Sequence, residues 1–452
     1  MSKIYLSFLG TNNYLPCTYE YQNQRIENIR FVQEATIRLN CMNWMKDDRV
    51  VIFTTKRAFQ LNWKDNKEIN KKINGKINGE NNPEILREGL ETRIKKIQGD
   101  FSYDQIHIPD GRNEKEIWEI FLSVFEVIHE QDEIIFDITH AFRSIPLLAI
   151  VVLNYAKIMK HAALDGIYYG ALEALGAIDD VKKMPVERRI VPVLDLSAFD
   201  QLMEWSVAAD RFLEAGDAAR ISEIAKRTVS AILSSTKGRD KSQYTIRKLA
   251  DNLEKFTKIL STCRGREINT VVERLKQNLE ECDNLQFNNP LNSPLKTVLG
   301  RIKDQIYKFP GHFITDGIQA ARWCMEHNLI QQSYTILQET LITYFVYKIG
   351  EDPENYQNKN INRILANQAV NIFINNRSKD KWKKEAQENI PVVDKFLKFY
   401  ETQPELIKIY NNLTGFRNDL NHSGQSDQCK SAHKFSAKMP VFLDKVEEEI
   451  QL

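Results

Sequence analysis

The spacing of apolar residues changes near residue 195, and that change limits the folds open to this chain more than any other feature of it. Before residue 195, short apolar runs alternate with amphipathic stretches; after it, only helical spacing remains. The first pattern predicts a parallel or mostly parallel sheet covered by helices, and the second an all-helical remainder. Strands are expected at Ile4–Leu9, Val50–Thr54, Gln105–Ile108, Glu133–Ile138, Gly166–Tyr169 and Arg189–Leu194. Helices are expected around Phe31–Met45, Glu84–Ile97, Lys115–His129 and Ser144–Met159. The lysine- and asparagine-rich stretch from Asn62 to Asn82 predicts a solvated loop. Polar breaks at Ser234–Asp240 and Asn288–Pro294 subdivide the helical remainder. At 452 residues the chain is long enough for two or three domains. The expected organisation is α/β plus all-α: a Rossmann-like domain over 1–195, a helical middle region over 196–305 and an α-helical C-terminal domain over 306–452.

Composition excludes more than it assigns. Lys and Arg total 62 against 61 Asp and Glu, so a nucleic-acid role has to rest on local sites rather than on bulk charge. The six cysteines, Cys17, Cys41, Cys263, Cys282, Cys324 and Cys429, are scattered and lack metal-ligand spacing, which suits reduced thiols in a cytoplasm. The longest apolar run, Ile145–Leu153, falls well short of the roughly 20 residues that a bilayer demands. The N-terminus has no signal-peptide pattern, so a soluble cytoplasmic protein without a membrane partner is expected. No Gly-x-Gly-x-x-Gly follows a strand and no phosphate loop occurs, which disfavours a dinucleotide enzyme or an NTPase.

In a sheet of this kind the ligand sits beyond the carboxyl ends of the strands, at a switch in strand order. Gly10, Thr11, Asn12 and Asn13 follow the first expected strand and let a ligand approach the backbone closely. The fourth ends in Asp137, Thr139, His140 and Arg143, with Pro146 marking a helix N-terminus just beyond. Arg143 suits a phosphate, and Thr139 and His140 suit a sugar hydroxyl or a base edge. Tyr169 and Gly170 close the fifth strand. Taken singly, each of these residues is as well explained by helix capping or packing; their convergence on one crevice is the argument for a site.

The second constellation is Arg417-Asn418-Asp419-Leu420-Asn421-His422. RNA carries its own nucleophile, the 2′-hydroxyl, so a ribonuclease needs only to move protons and stabilise charge on the phosphate. His422 suits the first task and Arg417 the second, with Asn418 orienting one or the other and no metal required. A straight helix turns about 100° per residue, which places Arg417 and His422 roughly 140° apart. They converge only if a turn intervenes or if two copies face each other across a dimer. The spacing alone is unspecific, since Arg322 and His327 share it within an apolar helical run and read as structural.

Together, Phe8-Leu9-Gly10-Thr11-Asn12-Asn13-Tyr14, Asp137-Ile138-Thr139-His140-Ala141-Phe142-Arg143-Ser144-Ile145-Pro146 and the Arg417–His422 motif resemble the CRISPR-associated CARF and HEPN ribonucleases of type III systems. The resemblance implies a homodimer whose paired CARF domains bind a cyclic oligoadenylate, with cyclic tetra-adenylate the expected ring, as allosteric activator. Binding would switch on cleavage of single-stranded RNA at a composite site between two HEPN domains, leaving a 2′,3′-cyclic phosphate. Thr11 and Asn12 match the first ligand loop, Thr139, His140 and Arg143 the second, and Arg417, Asn418 and His422 the nuclease motif. Ala141 departs from the glycine of many relatives. Two other classes remain open: a ligand-responsive DNA-binding regulator working through the middle helices, and a CARF enzyme that degrades its own cyclic ligand.

Overall fold

The computed structural model describes residues 2–68, 85–140, 145–235, 241–284, 292–353, 361–425 and 429–450. Arg143 and most of the expected loop at 62–82 lie outside the described residues. Two compact units result, Met1–Gln201 and Leu202–Leu452.

The strands of the first unit are β1 (Lys3–Leu9), β2 (Cys17–Tyr21), β3 (Gln24–Ile29), β4 (Arg49–Thr54), β5 (Asn66–Glu68), β6 (Ile85–Arg87), β7 (Ser102–His107), β8 (Glu133–Asp137), β9 (Ala163–Gly170) and β10 (Ile190–Asp195). Its helices are α1 (Val32–Asn40), α2 (Lys56–Ala58), α3 (Leu90–Lys95), α4 (Glu114–Val127), α5 (Ile145–Met159) and α6 (Ile178–Lys183). Eight strands form one sheet in the order β3-β2-β10-β9-β8-β1-β4-β7, and β5 pairs with β6 separately. The stretch β9-β8-β1-β4-β7 is parallel. Strand β10 then runs antiparallel to β9.

Period-two alternation builds a core on each face of the sheet. Ile4, Leu6 and Phe8 of β1 join Val51 and Phe53 of β4 in one core, while Tyr5 and Leu9 join Val50 and Ile52 in the other. From β1 the chain builds outward through β4 to β7, then returns to place β8 on the other side of β1. The order therefore reverses between β1 and β8, and their carboxyl ends flank the crevice that such a reversal leaves.

Several features were not expected, among them the strand β6 at Ile85–Arg87, inside the helix expected over Glu84–Ile97. The hairpin β2–β3 escaped because β3 carries mostly polar, exposed residues and shows no apolar alternation. Asn62 and Trp63 are buried at the end of a wide helical turn, Phe59–Trp63, rather than solvated. That turn is fixed by Trp63 in the core, a single anchor that the surrounding lysines and asparagines obscure.

The second unit comprises α7 (Ser197–Ala215, which begins in the first), α8 (Ala219–Ser235), α9 (Lys241–Ser261), α10 (Ile268–Asp283), α11 (Asn292–Ile306), α12 (Phe313–Glu326), α13 (Ile330–Lys348), α14 (Ile361–Asn375), α15 (Lys384–Glu388), α16 (Ile390–Thr402), α17 (Pro404–Asn421) and α18 (Ala432–Glu449). One continuous core runs through it: Trp323 of α12 packs on Phe212 of α7 and Phe256 of α9. The segments expected as 196–305 and 306–452 thus share a single hydrophobic interior, with Ile302, Ile306 and Phe309 buried across the expected boundary.

Candidate functional site

A cavity of about 220 Å³ opens at the switch point, lined by Phe8, Leu9, Gly10, Thr11, Asn12, Phe53, Thr55, Ile108, Thr139 and His140. Five of the expected residues meet here: Gly10, Thr11, Asn12, Thr139 and His140. Asn13, Asp137, Tyr169 and Gly170 do not line it. Phe53, Thr55 and Ile108 do, although nothing singled them out; they stand at or just beyond the ends of β4 and β7, where the same strand-end argument applies.

Asp137 lies beneath the crevice and organises its floor. Fully buried opposite Ser7, its carboxylate accepts from Tyr5 Oη at 3.0 Å, Ser7 Oγ at 3.1 Å, Thr139 N at 3.0 Å and Thr139 Oγ1 at 2.6 Å. Burial pushes its pKa up, while the bonds from Thr139, Tyr5 and Ser7 pull it down. The Thr139 hydroxyl, its proton committed to Asp137, accepts the Gly170 N–H at 2.8 Å and so pins the end of β8 to the end of β9. Thr139 can offer a ligand only an acceptor. Gly170 is a packing residue: a Cβ there would come within 2.6 Å of Val32 Cγ2. Tyr169 turns its hydroxyl to Glu173.

The loops after β1 and β8 touch through Tyr14. Its oxygen accepts the Gly10 N–H at 2.7 Å, and its ring meets His140 edge-on at 4.4 Å between centroids. From the far side Asn62 Nδ2 donates to the carbonyls of Gly10 and Asn12. Asn13 and the Tyr14 carbonyl are held by Arg87. Burial lowers the His140 imidazole to about 4, so near neutral pH it is an uncharged donor and acceptor in the cavity wall.

In the helical unit, Pro404 opens α17 and Leu406, Ile409, Tyr410 and Leu413 bury one face of it. The motif occupies its last turn. Helical backbone continues to Asn421 and the His422 N–H still bonds the Asn418 carbonyl at 2.9 Å, so no turn separates Arg417 from His422. Left-handed Ser423 and Gly424 then end the helix. The Lys430 N–H bonds the buried Asp419 carboxylate at 2.8 Å, drawing the returning chain against the motif. Arg417 is half-buried; Asn418 and His422 are exposed. With its amide carbonyl turned to the guanidinium, Asn421 accepts from Arg417 Nε at 2.9 Å and from a terminal nitrogen at 3.2 Å. Asn421 was not singled out from the sequence, although it lies one helical turn from Arg417.

The similar pair, Arg322 and His327, is tied up elsewhere. Arg322 pairs with Asp444 and Glu447 of α18. His327 is buried, stacks on Trp323 at 4.0 Å, and directs its two ring nitrogens to the carbonyls of Trp323 and Leu213.

Among the described residues, no group of three or more His, Cys, Asp or Glu is placed to hold a metal ion, and no helix is long and apolar enough to cross a membrane. Comparison with known families matches residues 4–173 to the CARF domain of the CRISPR system endoribonuclease Csx1. Residues 201–311 match the second domain of the CRISPR-associated protein MJ1674. The chain is also 26% identical over 268 residues to that protein from Methanocaldococcus jannaschii, a match spanning 58% of this chain and 37% of the relative. Both signature loops of the crevice lie within the first match, and the helices following the sheet lie within the second. Residues 4–173 thus match a CARF domain, and the chain is similar, across this domain and the helices after it, to CRISPR-associated proteins.

Proposed function

We propose that this protein is a cyclic oligoadenylate-activated ribonuclease of type III CRISPR defence, cutting single-stranded RNA through Arg417, Asn418 and His422. One observation carries the nuclease reading. In the last turn of α17 the Arg417 guanidinium is held by Asn421, has no carboxylate partner among the described residues, and lies five positions before the exposed His422. His422 takes the proton of the attacking 2′-hydroxyl or delivers one to the leaving 5′-oxygen, and Arg417 stabilises the phosphorane between these steps. The attack forms a 2′,3′-cyclic phosphate and frees a 5′-hydroxyl, with no metal in the scheme.

Because α17 is helical through Asn421, the offset of about 140° between the two side chains persists, which supports a composite site built from two chains. An apolar face on the first unit supports the same homodimer. Leu147, Ile150, Val151 and Ile158 are exposed along α5, as are Trp118 and Leu122 on α4. Helix α5 begins just after the second ligand loop, so pairing this face with itself brings two crevices together. The cavity, at about 220 Å³, is smaller than the roughly 300–1,000 Å³ of a drug-sized ligand site, and suits part of a symmetric ring shared between two copies.

The deciding experiment measures cleavage of a fluorogenic single-stranded RNA with and without cyclic oligoadenylates of several ring sizes. Stimulation by one ring, with the tetra-adenylate expected, supports the reading; no cleavage with any ring overturns it.

A further inference from the structure

The turn that ends α9 stands beside the Arg417 motif, and adjacent residues of α13 join the two. The Gln331 amide meets that of Asn421 at 3.2 Å, and the next residue, Gln332, donates to the Ser261 carbonyl at 3.3 Å. Beyond Ser261 the chain reads Thr262-Cys263-Arg264-Gly265-Arg266. Cys263 has φ 55°, a left-handed conformation that usually selects glycine at a helix end. It bonds back through its N–H to Leu260, and the Arg264 N–H bonds the Ile259 carbonyl at 2.8 Å. The reason for a cysteine here is packing: its side chain turns inward, half-buried against the helical core. That reversal leaves Arg264 exposed, with no carboxylate partner among the described residues.

Burial raises the Cys263 pKa, and the guanidinium groups of Arg264 and Arg417 both lower it, which places both cations within electrostatic reach of one sulfur. Glu339 acts on the same thiol in the opposite sense, but its carboxylate is engaged by Arg363 at 2.7 Å. Arg264, three residues beyond Ser261, and Arg417, one turn before Asn421, are carried to the same end of α13 by Gln332 and Gln331, and neither has a carboxylate partner among the described residues. A phosphodiester is the anion that this arrangement suits, since guanidinium presents paired donors to phosphate oxygens.

We propose that Arg264 forms, with Arg417, an anion site that holds a phosphodiester of the RNA substrate, so that the helices before α12 supply part of the nuclease's binding surface. This rests on the nuclease reading above. Arg264 is assigned to substrate binding, and Arg417 to both binding and catalysis.

The test uses the full chain activated by cyclic tetra-adenylate. Binding is followed with an RNA blocked by 2′-O-methyl groups, and kinetics with a cleavable RNA of the same sequence. For Arg264→Ala, Kd for the blocked RNA is expected to rise about tenfold, the size expected for losing one charge-assisted contact. The slope of log affinity against log salt should become shallower by about 0.7, the single-strand value for one phosphate contact. The value of kcat/KM should fall mainly through KM, and Arg264→Lys should restore the salt slope more fully than the affinity. Unchanged Kd and salt slope in Arg264→Ala would overturn the proposal even if Arg417→Ala abolishes cleavage, which would leave the nuclease reading standing. The blocked-RNA measurement needs no cleavage, so wild-type rates in Arg417→Ala and His422→Ala would defeat the nuclease reading separately.

Discussion

The side chain of Asn62 donates to the Gly10 carbonyl at 2.9 Å, and the same nitrogen reaches the Asn12 carbonyl at 3.0 Å. A residue 52 positions away thereby holds the loop after β1 from behind. Asn62→Ala removes a buried donor from two carbonyls and is expected to cost about 1–3 kcal/mol of stability. It should also weaken cyclic tetra-adenylate binding, because the loop must then be ordered by the ligand itself. Denaturant unfolding and titration calorimetry check both; an affinity equal to wild type would remove Asn62 from the site.

Arg417→Ala and His422→Ala are each expected to lower RNA cleavage by at least about 10²-fold while leaving folding and ligand binding intact. Asn421→Ala, which releases the guanidinium, should lower the rate less. Cleavage should persist in EDTA and leave a 2′,3′-cyclic phosphate, which mass spectrometry of the products identifies. Wild-type rates in both single variants would refute the assignment.

The buried His327 and its partner in sequence spacing, Arg322, should behave as structural residues. His327→Ala leaves two carbonyls and a Trp323 face without their partner, and is expected to destabilise the fold by about 1–3 kcal/mol. Arg322→Ala breaks exposed ion pairs worth about 0–1 kcal/mol and should change the melting temperature little. Loss of cleavage in Arg322→Ala without loss of stability would mean that the wrong motif had been chosen.

A mixed dimer of one wild-type chain and one Arg417/His422 double variant, isolated through two affinity tags, tests the composite site. A fall far below half of wild-type activity is expected. Retention of half would indicate two independent sites.

His140 predicts a pH dependence of stability. Its folded pKa, about 4, lies below the ordinary 6.5, so between those values the unfolded chain binds a proton that the folded chain does not. This contribution is fully present above pH 6.5, is lost progressively as pH falls towards 4, and levels off below that. Urea unfolding across this range should show a shallower dependence in His140→Gln than in wild type. Identical profiles would show that burial of this imidazole does not matter to the fold.

The amino-acid sequence by itself carried the division into an α/β part and a helical part, because side-chain period reports backbone geometry directly. It carried the strand ends at Gly10 and Thr139 for the same reason: a polar, glycine-containing stretch after an apolar run has few other places to go. Only the tertiary structure decided which of those strand ends meet. The reversal of order between β1 and β8 brings Gly10, Thr11, Asn12, Thr139 and His140 to one cavity with Phe53, Thr55 and Ile108, and leaves Asp137 beneath it. The same limit applies to the motif on α17. Arg417 and His422 stand out as residue types suited to RNA chemistry, but Gln331 and the Cys263 turn reach the motif through contacts across long stretches of chain. Such contacts depend on how helices pack, and packing is set by the shapes of whole faces rather than by any local pattern that a sequence displays.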